Sequence, residues 1–226
     1  MQLDHIAASA ARCGLALRGA FHPGPDDAPP TLADGARAGT LALLGFVGGG
    51  MWPHFAASTE ARDGLGDGLD RWSRRVIDDL AAEFNAAALY PFGREPAWPF
   101  QRWAMKGEAV HPSPIGILIH PDWGLWHGYR GALALQQRLA LPPADARPSP
   151  CDTCAAKPCL SSCPVAAFGA GHYDVAACIR HIATLAGRDC IDDACRARRA
   201  CPVGAGHRYG SEQARFHMSA FLAAYR

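Results

Sequence analysis

Leu3, Ile6, Ala10 and Cys13 recur at helical spacing, and Gly14 follows where such a helix would stop. Leu15, Leu17 and Phe21 then alternate as in a strand. The stretch from Phe21 to Leu32 is rich in proline and acidic residues and reads as a loop. Leu41–Val47 is an unbroken apolar run, the pattern of a buried strand, closed by Gly48, Gly49 and Gly50. Leu69, Trp72, Val76, Leu80 and Phe84 mark a long amphipathic helix. Ile115–Ile119 and Leu125–Leu135 read as two further strands joined by a short turn, H-P-D-W-G. Ala214, Met218, Phe221, Leu222 and Tyr225 form a helical stripe at the end, expected to dock onto the first domain. Strands interleaved with helices argue for an α+β or α/β sheet domain.

Composition sharpens this picture. The chain has 226 residues and is 49% hydrophobic, enough for a core without disulfides. Its formal net charge of +1 gives no broad field for nucleic acid, which is not an expected partner. The N-terminus lacks a basic region followed by an apolar run, and no apolar stretch is long enough to cross a bilayer. The expectation is a cytoplasmic protein with no membrane partner. There, clustered cysteines are read as metal ligands before disulfides.

Nine cysteines are present, and eight of them lie between Cys151 and Cys201. Leu141–Pro150, with four prolines, precedes them and suits an extended connection. The expected organisation is an α+β domain over residues 1–145, a cysteine-rich subdomain over 146–208 and a C-terminal helix over 209–226. The first cysteine group is Cys151-x2-Cys154-x4-Cys159-x3-Cys163-Pro164. The second is Cys178, then Cys190-x4-Cys195-x5-Cys201-Pro202. Bacterial two-cluster ferredoxins space their ligands as C-x2-C-x2-C-x3-C-P, and the last cysteine of each run ligates the other cluster. That crossover assigns Cys151, Cys154, Cys159 and Cys201 to one [4Fe–4S] cluster, and Cys163, Cys178, Cys190 and Cys195 to a second. The x4 step before Cys159 and the stretched second group depart from the short spacing. A pair of all-cysteine zinc sites is the alternative. Cys13, on an apolar helical face, is left over as a small buried residue.

Two family resemblances follow from these residues. The stretch from Cys151 to Cys201, with the isolated Cys178-Ile179 between its groups, resembles the iron–sulfur region of the cobalamin-dependent epoxyqueuosine reductases. Ile117–Gly131, I-L-I-H-P-D-W-G-L-W-H-G-Y-R-G, is similar to the I-H-P-x-x-G-x-W-x-x-x-R-G segment of CblC-type cobalamin-processing proteins. R-Y-G-S-E-Q-A-R-F, from Arg208, is similar to their R-Y-S-E-E-Q segment. The resemblance implies a nitroreductase-like α+β sandwich carrying a small two-cluster ferredoxin subdomain. It implies cobalamin as substrate or cofactor, bound near His120, Trp126, Arg130 and Arg208, with the two arginines at the family's glutathione positions. Expected partners are cobalamin, glutathione and a reductase or ferredoxin as electron donor.

Read from the residues themselves, Trp98, Phe100, Trp103, Trp123 and Trp126 either fill a core or line a broad apolar cleft for a corrin ring. His120 is either a turn histidine bonded to backbone or a ligand contact, and Arg130 either an ion-pair partner or an anion clamp. Arg196, Arg198 and Arg199 form either a solvated helix face or an offset to cluster charge. The leading expectation is an iron–sulfur enzyme that reductively removes the upper axial ligand of cobalamin. The alternatives are a ferredoxin-type electron carrier with no corrin site, an epoxyqueuosine-type reductase and a flavin-bearing nitroreductase.

Overall fold

A computed structural model describes residues 3–28, 31–32, 35–93, 97–169 and 171–225. Pro29 and Pro30, within the expected Phe21–Leu32 loop, lie outside them. The fold is α+β, as the interleaved patterns imply, and it divides into two compact units. Unit 1 comprises Met1–Ala109 and His127–Ala146; unit 2 comprises Val110–Trp126 and Arg147–Arg226.

Unit 1 is built on a four-stranded antiparallel sheet. Its elements are α1 (Leu3–Arg12), β1 (Ala16–Phe21), β2 (Thr40–Val47), α2 (Trp52–Ala56), α3 (Gly68–Glu83), β3 (Ala87–Leu89) and α4 (Phe100–Gly107), followed after the unit 2 excursion by β6 (His127–Leu135). Strand order is β1-β2-β6-β3. Ile77 of α3 packs over Gly131 of β6, while Gly107 of α4 meets Leu43 of β2. Leu43 is paired with Ala132, one residue along from Gly131, so α3 and α4 cover opposite faces. A strand covered on both faces has no solvent side to mark with polar residues. Hence Leu41, Ala42, Leu43 and Leu44 are all fully buried.

Two bulges interrupt this sheet. The β1–β2 register passes from Leu17↔Leu44 to Gly19↔Leu43, leaving Arg18 unpaired. The β2–β6 register passes from Leu44↔Gly131 to Gly45↔Tyr129, leaving Arg130 unpaired. A bulge re-aims the extra side chain, and both arginines turn into the protein. Arg18 donates to the Phe46 carbonyl at 2.8 Å and to Glu108 at 3.1 Å, with His127 Nδ1 at 3.2 Å. Tyr129 donates to the other Glu108 oxygen at 2.5 Å. Burial pushes the Glu108 carboxyl up, and Arg18 opposes that shift. At the second bulge Gly45 approaches its neighbour so closely that a Cβ would lie 2.0 Å from the Gly128 carbonyl oxygen.

Unit 2 has little regular structure. Its strands are two residues each: β4 (His111–Pro112) with β5 (Leu118–Ile119), and β7 (Phe168–Gly169) with β8 (His172–Tyr173). Its helices are α5 (Pro158–Ser161), α6 (Val175–Ile182), α7 (Arg188–Asp192), α8 (Arg196–Arg199) and α9 (Ser211–Ala223).

Three expectations are revised. Ile115–Ile119 and Leu125–Leu135 do not form one hairpin: Leu118–Ile119 pairs with His111–Pro112, and His127–Leu135 enters the unit 1 sheet. Residues 110–126 leave the first domain for unit 2, pinned by Gly124 and Gly204. A Cβ on Gly124 would come within 1.9 Å of the Val203 carbonyl oxygen, and both glycines hold a positive φ. Finally, α9 packs inside unit 2, against α7. Its Met218, Phe221 and Leu222 lie on Cys178, Ile182, Cys190 and Ile191 rather than forming the expected stripe on the first domain.

Candidate metal centre

The local fold sorts the eight cysteines. Pro158 opens α5 at a position where a missing N–H costs nothing, and sets Cys159 on that turn. The two residues added to the short ferredoxin spacing are thus used to begin a helical turn. The Asp174 side chain accepts the Ala177 N–H at 2.8 Å, capping α6, and Cys178 is buried one turn in. Cys195 sits at the head of α8, where its carbonyl accepts the Arg199 N–H at 2.9 Å.

Two separate apolar clusters result. One holds Cys159 and Cys201 with Ile115, Ile119, Leu125 and Phe168, and Cys151 packs against it. The other holds Cys178 and Cys190 with Ala167, Ile182 and Ile191. Cys163 and Tyr173 touch both. Cys195 packs against the first cluster, while its electrostatic neighbours, Cys190 and Cys178, belong to the second. Burial pushes the Cys159 thiol up, and Cys201, Cys151 and Cys154 push it further. Burial raises Cys178, Tyr173 opposes it, and Cys163 and Cys190 add to it. Burial also raises Cys195, whose neighbours are Cys190 and Cys178. Cys151, Cys154 and Cys201 are thus neighbours of Cys159, and Cys163, Cys190 and Cys195 are neighbours of Cys178.

This donor set fits iron–sulfur clusters. Buried, mutually repelling thiols resist ionisation until a cationic centre inverts the local electrostatics. All eight are free thiols, as is Cys13. A single zinc ion would hold four sulfurs at about 2.3 Å from one point. Among the described residues, no group of three or more His, Cys, Asp or Glu side chains is placed to hold a metal ion. A cubane is wider and takes one ligand at each corner.

Arginines surround the second expected ligand set, but none presents a solvated face as such. Arg196 and Arg199 donate to Asp189 at 2.7 and 2.6 Å, holding its carboxyl down at about 2. Arg198 donates to the Leu125 carbonyl and to Tyr209 at 2.8 Å, and its guanidinium lies 4.6 Å from the Trp126 ring centre.

The four residues expected at a corrin site are divided between the units. His120 is buried in a turn, where Nδ1 accepts the Asp122 N–H at 3.0 Å and the ring stacks on Trp123 at 3.8 Å. The turn role is the one observed. Trp126 is 1% exposed, and its Nε1 has no hydrogen-bond partner among the described residues. Arg208 is exposed and donates to the Arg199 carbonyl at 2.6 Å. Arg130 belongs to unit 1, where it donates to Ser73 at 2.8 Å and to Asp70, and lies over Phe92. Its guanidinium serves an internal ion pair, not an anion clamp. Trp103 is core as well, fully buried with Nε1 donating to the Asp27 carbonyl at 2.9 Å. A unit 1 cavity of about 580 Å³ is lined by Arg18, Phe21, Met105, Lys106 and Glu108 among others, and by neither Arg130 nor the tryptophans. Sequence reasoning missed Tyr173, which packs against both apolar clusters, and Ser149, whose hydroxyl accepts the Cys151 N–H at 3.2 Å, since neither belongs to a spacing motif.

No family model and no curated protein matches the chain. Among solved structures it is similar to epoxyqueuosine reductase from Bacillus subtilis, with 12% identity and a TM-score of 0.44. The match covers 76% of this chain and 50% of that one, so the chain spans about half of that structure's length. A likeness of this degree transfers no residue role. No helix among the described residues is long and apolar enough to cross a membrane.

Proposed function

We propose that this chain is an iron–sulfur redox enzyme carrying two [4Fe–4S] clusters, and that it delivers electrons to cobalamin. The observation that supports the proposal is the gathering of eight free cysteines in unit 2, with Cys151, Cys154 and Cys201 beside Cys159, Cys163 and Cys190 beside Cys178, and Cys159, Cys178, Cys190 and Cys201 buried. Bound clusters would supply one-electron steps at potentials set by the protein. The chain's own part is to exclude water with Ile115, Phe168, Ile182 and Ile191, and to direct a peptide N–H at sulfur, as Ala167 does at Cys163 at 3.3 Å. Cobalamin as the acceptor rests on the two resemblances, which share it, and on Trp126, whose buried Nε1 is a donor for a corrin amide. The reaction proposed is reductive removal of the upper axial ligand. Glutathione is not part of it, because Arg130 is committed to Asp70.

A second reading, reduction of epoxyqueuosine, is favoured by the Cys178-Ile179 spacing feature within the iron–sulfur segment. It has in common with the first reading the clusters and cobalamin, and differs in what the reduced corrin then serves.

Anaerobically reconstituted protein should hold about eight iron and eight sulfide per chain. Bound zinc without sulfide would refute the cluster reading. Titrating the same protein with cyanocobalamin should give a saturable shift to the base-off spectrum, and added reductant should release cyanide. Clusters with no corrin shift would leave an electron carrier. A corrin shift without cyanide release, with retention on tRNA, would favour the second reading.

A further inference from the structure

Unit 2 holds a cavity of about 340 Å³ between the turn that joins β4 to β5 and the β7–β8 hairpin. That volume suits one small molecule, since ligand pockets span roughly 300–1,000 Å³. A corrin is too large for it. Phe168 and Tyr173 line the cavity, stacked with ring centres 4.6 Å apart. None of the described lining residues is Asp, Glu, Lys or Arg, so a charged ligand would enter without a counter-charge. Two lining polar groups are left to recognise an uncharged one. Ser113 Oγ is buried and has no hydrogen-bond partner among the described residues. Buried hydroxyls are ordinarily bonded, so this one calls for a partner. His172 Nδ1 donates to the Gly169 carbonyl at 2.8 Å, which in the neutral ring leaves the lone pair on Nε2. The cavity thus offers an O–H donor and a ring-nitrogen acceptor beside a flat aromatic pair. Gly169 lines it too, holds no positive φ, and would place a Cβ with nothing within 4 Å. Neither backbone nor packing therefore requires glycine there, and a longer side chain would take up free space.

We propose that this cavity binds an uncharged heteroaromatic lactam, its ring against Phe168 and Tyr173, its carbonyl accepting from Ser113 and its N–H donating to His172. The site is separate from any corrin site and takes a ligand of its own. Ile115 and Phe168 also belong to the apolar cluster around Cys159 and Cys201, so the ligand sits beside the first expected ligand set.

The test is equilibrium dialysis of the reconstituted full chain against carbostyril, a neutral bicyclic lactam. Naphthalene, which lacks the amide edge, and naphthoate, an anion, are the comparisons. Carbostyril should bind saturably and more tightly than either. Ser113→Ala should weaken carbostyril about two- to tenfold and leave naphthalene unchanged. The turn itself should survive that change, because it is held by backbone bonds, Ser113 N–H to the Ile117 carbonyl at 3.1 Å and Gly116 N–H to the Ser113 carbonyl at 3.0 Å. Gly169→Leu should abolish binding of both neutral compounds with iron content unchanged. No saturable carbostyril binding, tighter binding of naphthoate, or an affinity unmoved by Ser113→Ala would each overturn the proposal. Should Gly169→Leu lose its iron, Ser113→Ala decides alone. Iron-loaded protein that binds no carbostyril would bring down this proposal and leave the cluster reading standing. Protein that binds carbostyril but takes up no iron and sulfide would do the reverse.

Discussion

Unit 1 fully buries Leu41, Ala42, Leu43 and Leu44 along a single strand, whereas the described strands of unit 2 are two residues long and its two interiors mix cysteines with aliphatic and aromatic side chains. Each buried leucine of β2 contributes about 1.5–3 kcal/mol by leaving water. The thiols of unit 2 contribute far less that way, and they are crowded so that ionising any one raises its neighbours. An apolar sheet is stable as it stands. A segment whose interior holds ligand sulfur depends on the metal for its order, since binding free energy becomes folding free energy. The contrast teaches which half of this chain should answer to iron and which to side-chain volume.

The largest effect should follow from Cys201→Ala. It removes a ligand of the proposed first quartet and should cut bound iron by about half, while opening unit 2 to protease. Iron analysis and limited proteolysis read both, and unit 1 peptides should survive intact. Equal loss in both units would erase the distinction between them.

Next is Arg18→Ala, which strands the Glu108 carboxylate, only 7% exposed. Removing one partner of a buried pair costs about 3–5 kcal/mol. Glu108 already titrates above its ordinary 4.5, because burial outweighs Arg18. A carboxyl with a raised folded pKa binds its proton more tightly when folded, so its contribution to stability falls as pH rises above about 4.5. Losing Arg18 raises that pKa further. Urea unfolding should therefore show a larger penalty at pH 8 than at pH 5, and a pH-independent penalty would speak against the buried pair. Glu108→Gln in the same background should recover part of the loss at pH 8.

Leu43→Ala should cost about 2–5 kcal/mol by the same melts, with the iron content of unit 2 unchanged. Smallest is Glu60→Gln. Arg75 holds Glu60 at about 2, at a distance of 2.5 Å, and the arginine is half exposed. Such a pair is worth about 0.2–1 kcal/mol. Its folded pKa is depressed, so that stability is present above pH 4.5 and disappears as pH falls towards 2. The variant should match wild type in acid and fall slightly below it at neutral pH.

Much of this was readable from the chain. The unbroken run Leu41–Val47 announced a doubly covered strand because nothing polar was needed on either face. The eight cysteines stood out by their spacing, and all eight lie in the second compact unit. The uses of Arg18 and Arg130 were not readable, because a bulge is a property of register between strands, which no local pattern encodes. Phe100–Gly107 was hidden for a related reason. Its aromatic residues, which fit either a core or a cleft, are the buried face of a short helix. Residues 110–126 were drawn into the first domain by their apolar pattern, and only the close approach of Gly124 to Val203 reveals where they belong.

The order of the ligands along the chain also bears on assembly. The whole interval from Cys163 to Cys195 lies between Cys159 and Cys201, so the proposed second quartet is nested inside the loop that the first must close. Loop closure costs entropy that grows with the length of free chain. Completing the inner quartet shortens the path the outer one has to span, so iron bound at the inner site should make the outer site easier to fill. During synthesis the inner set is also finished first, because Cys195 emerges before Cys201. The nesting thus favours an order of maturation, inner before outer, written into the chain without any further factor to impose it.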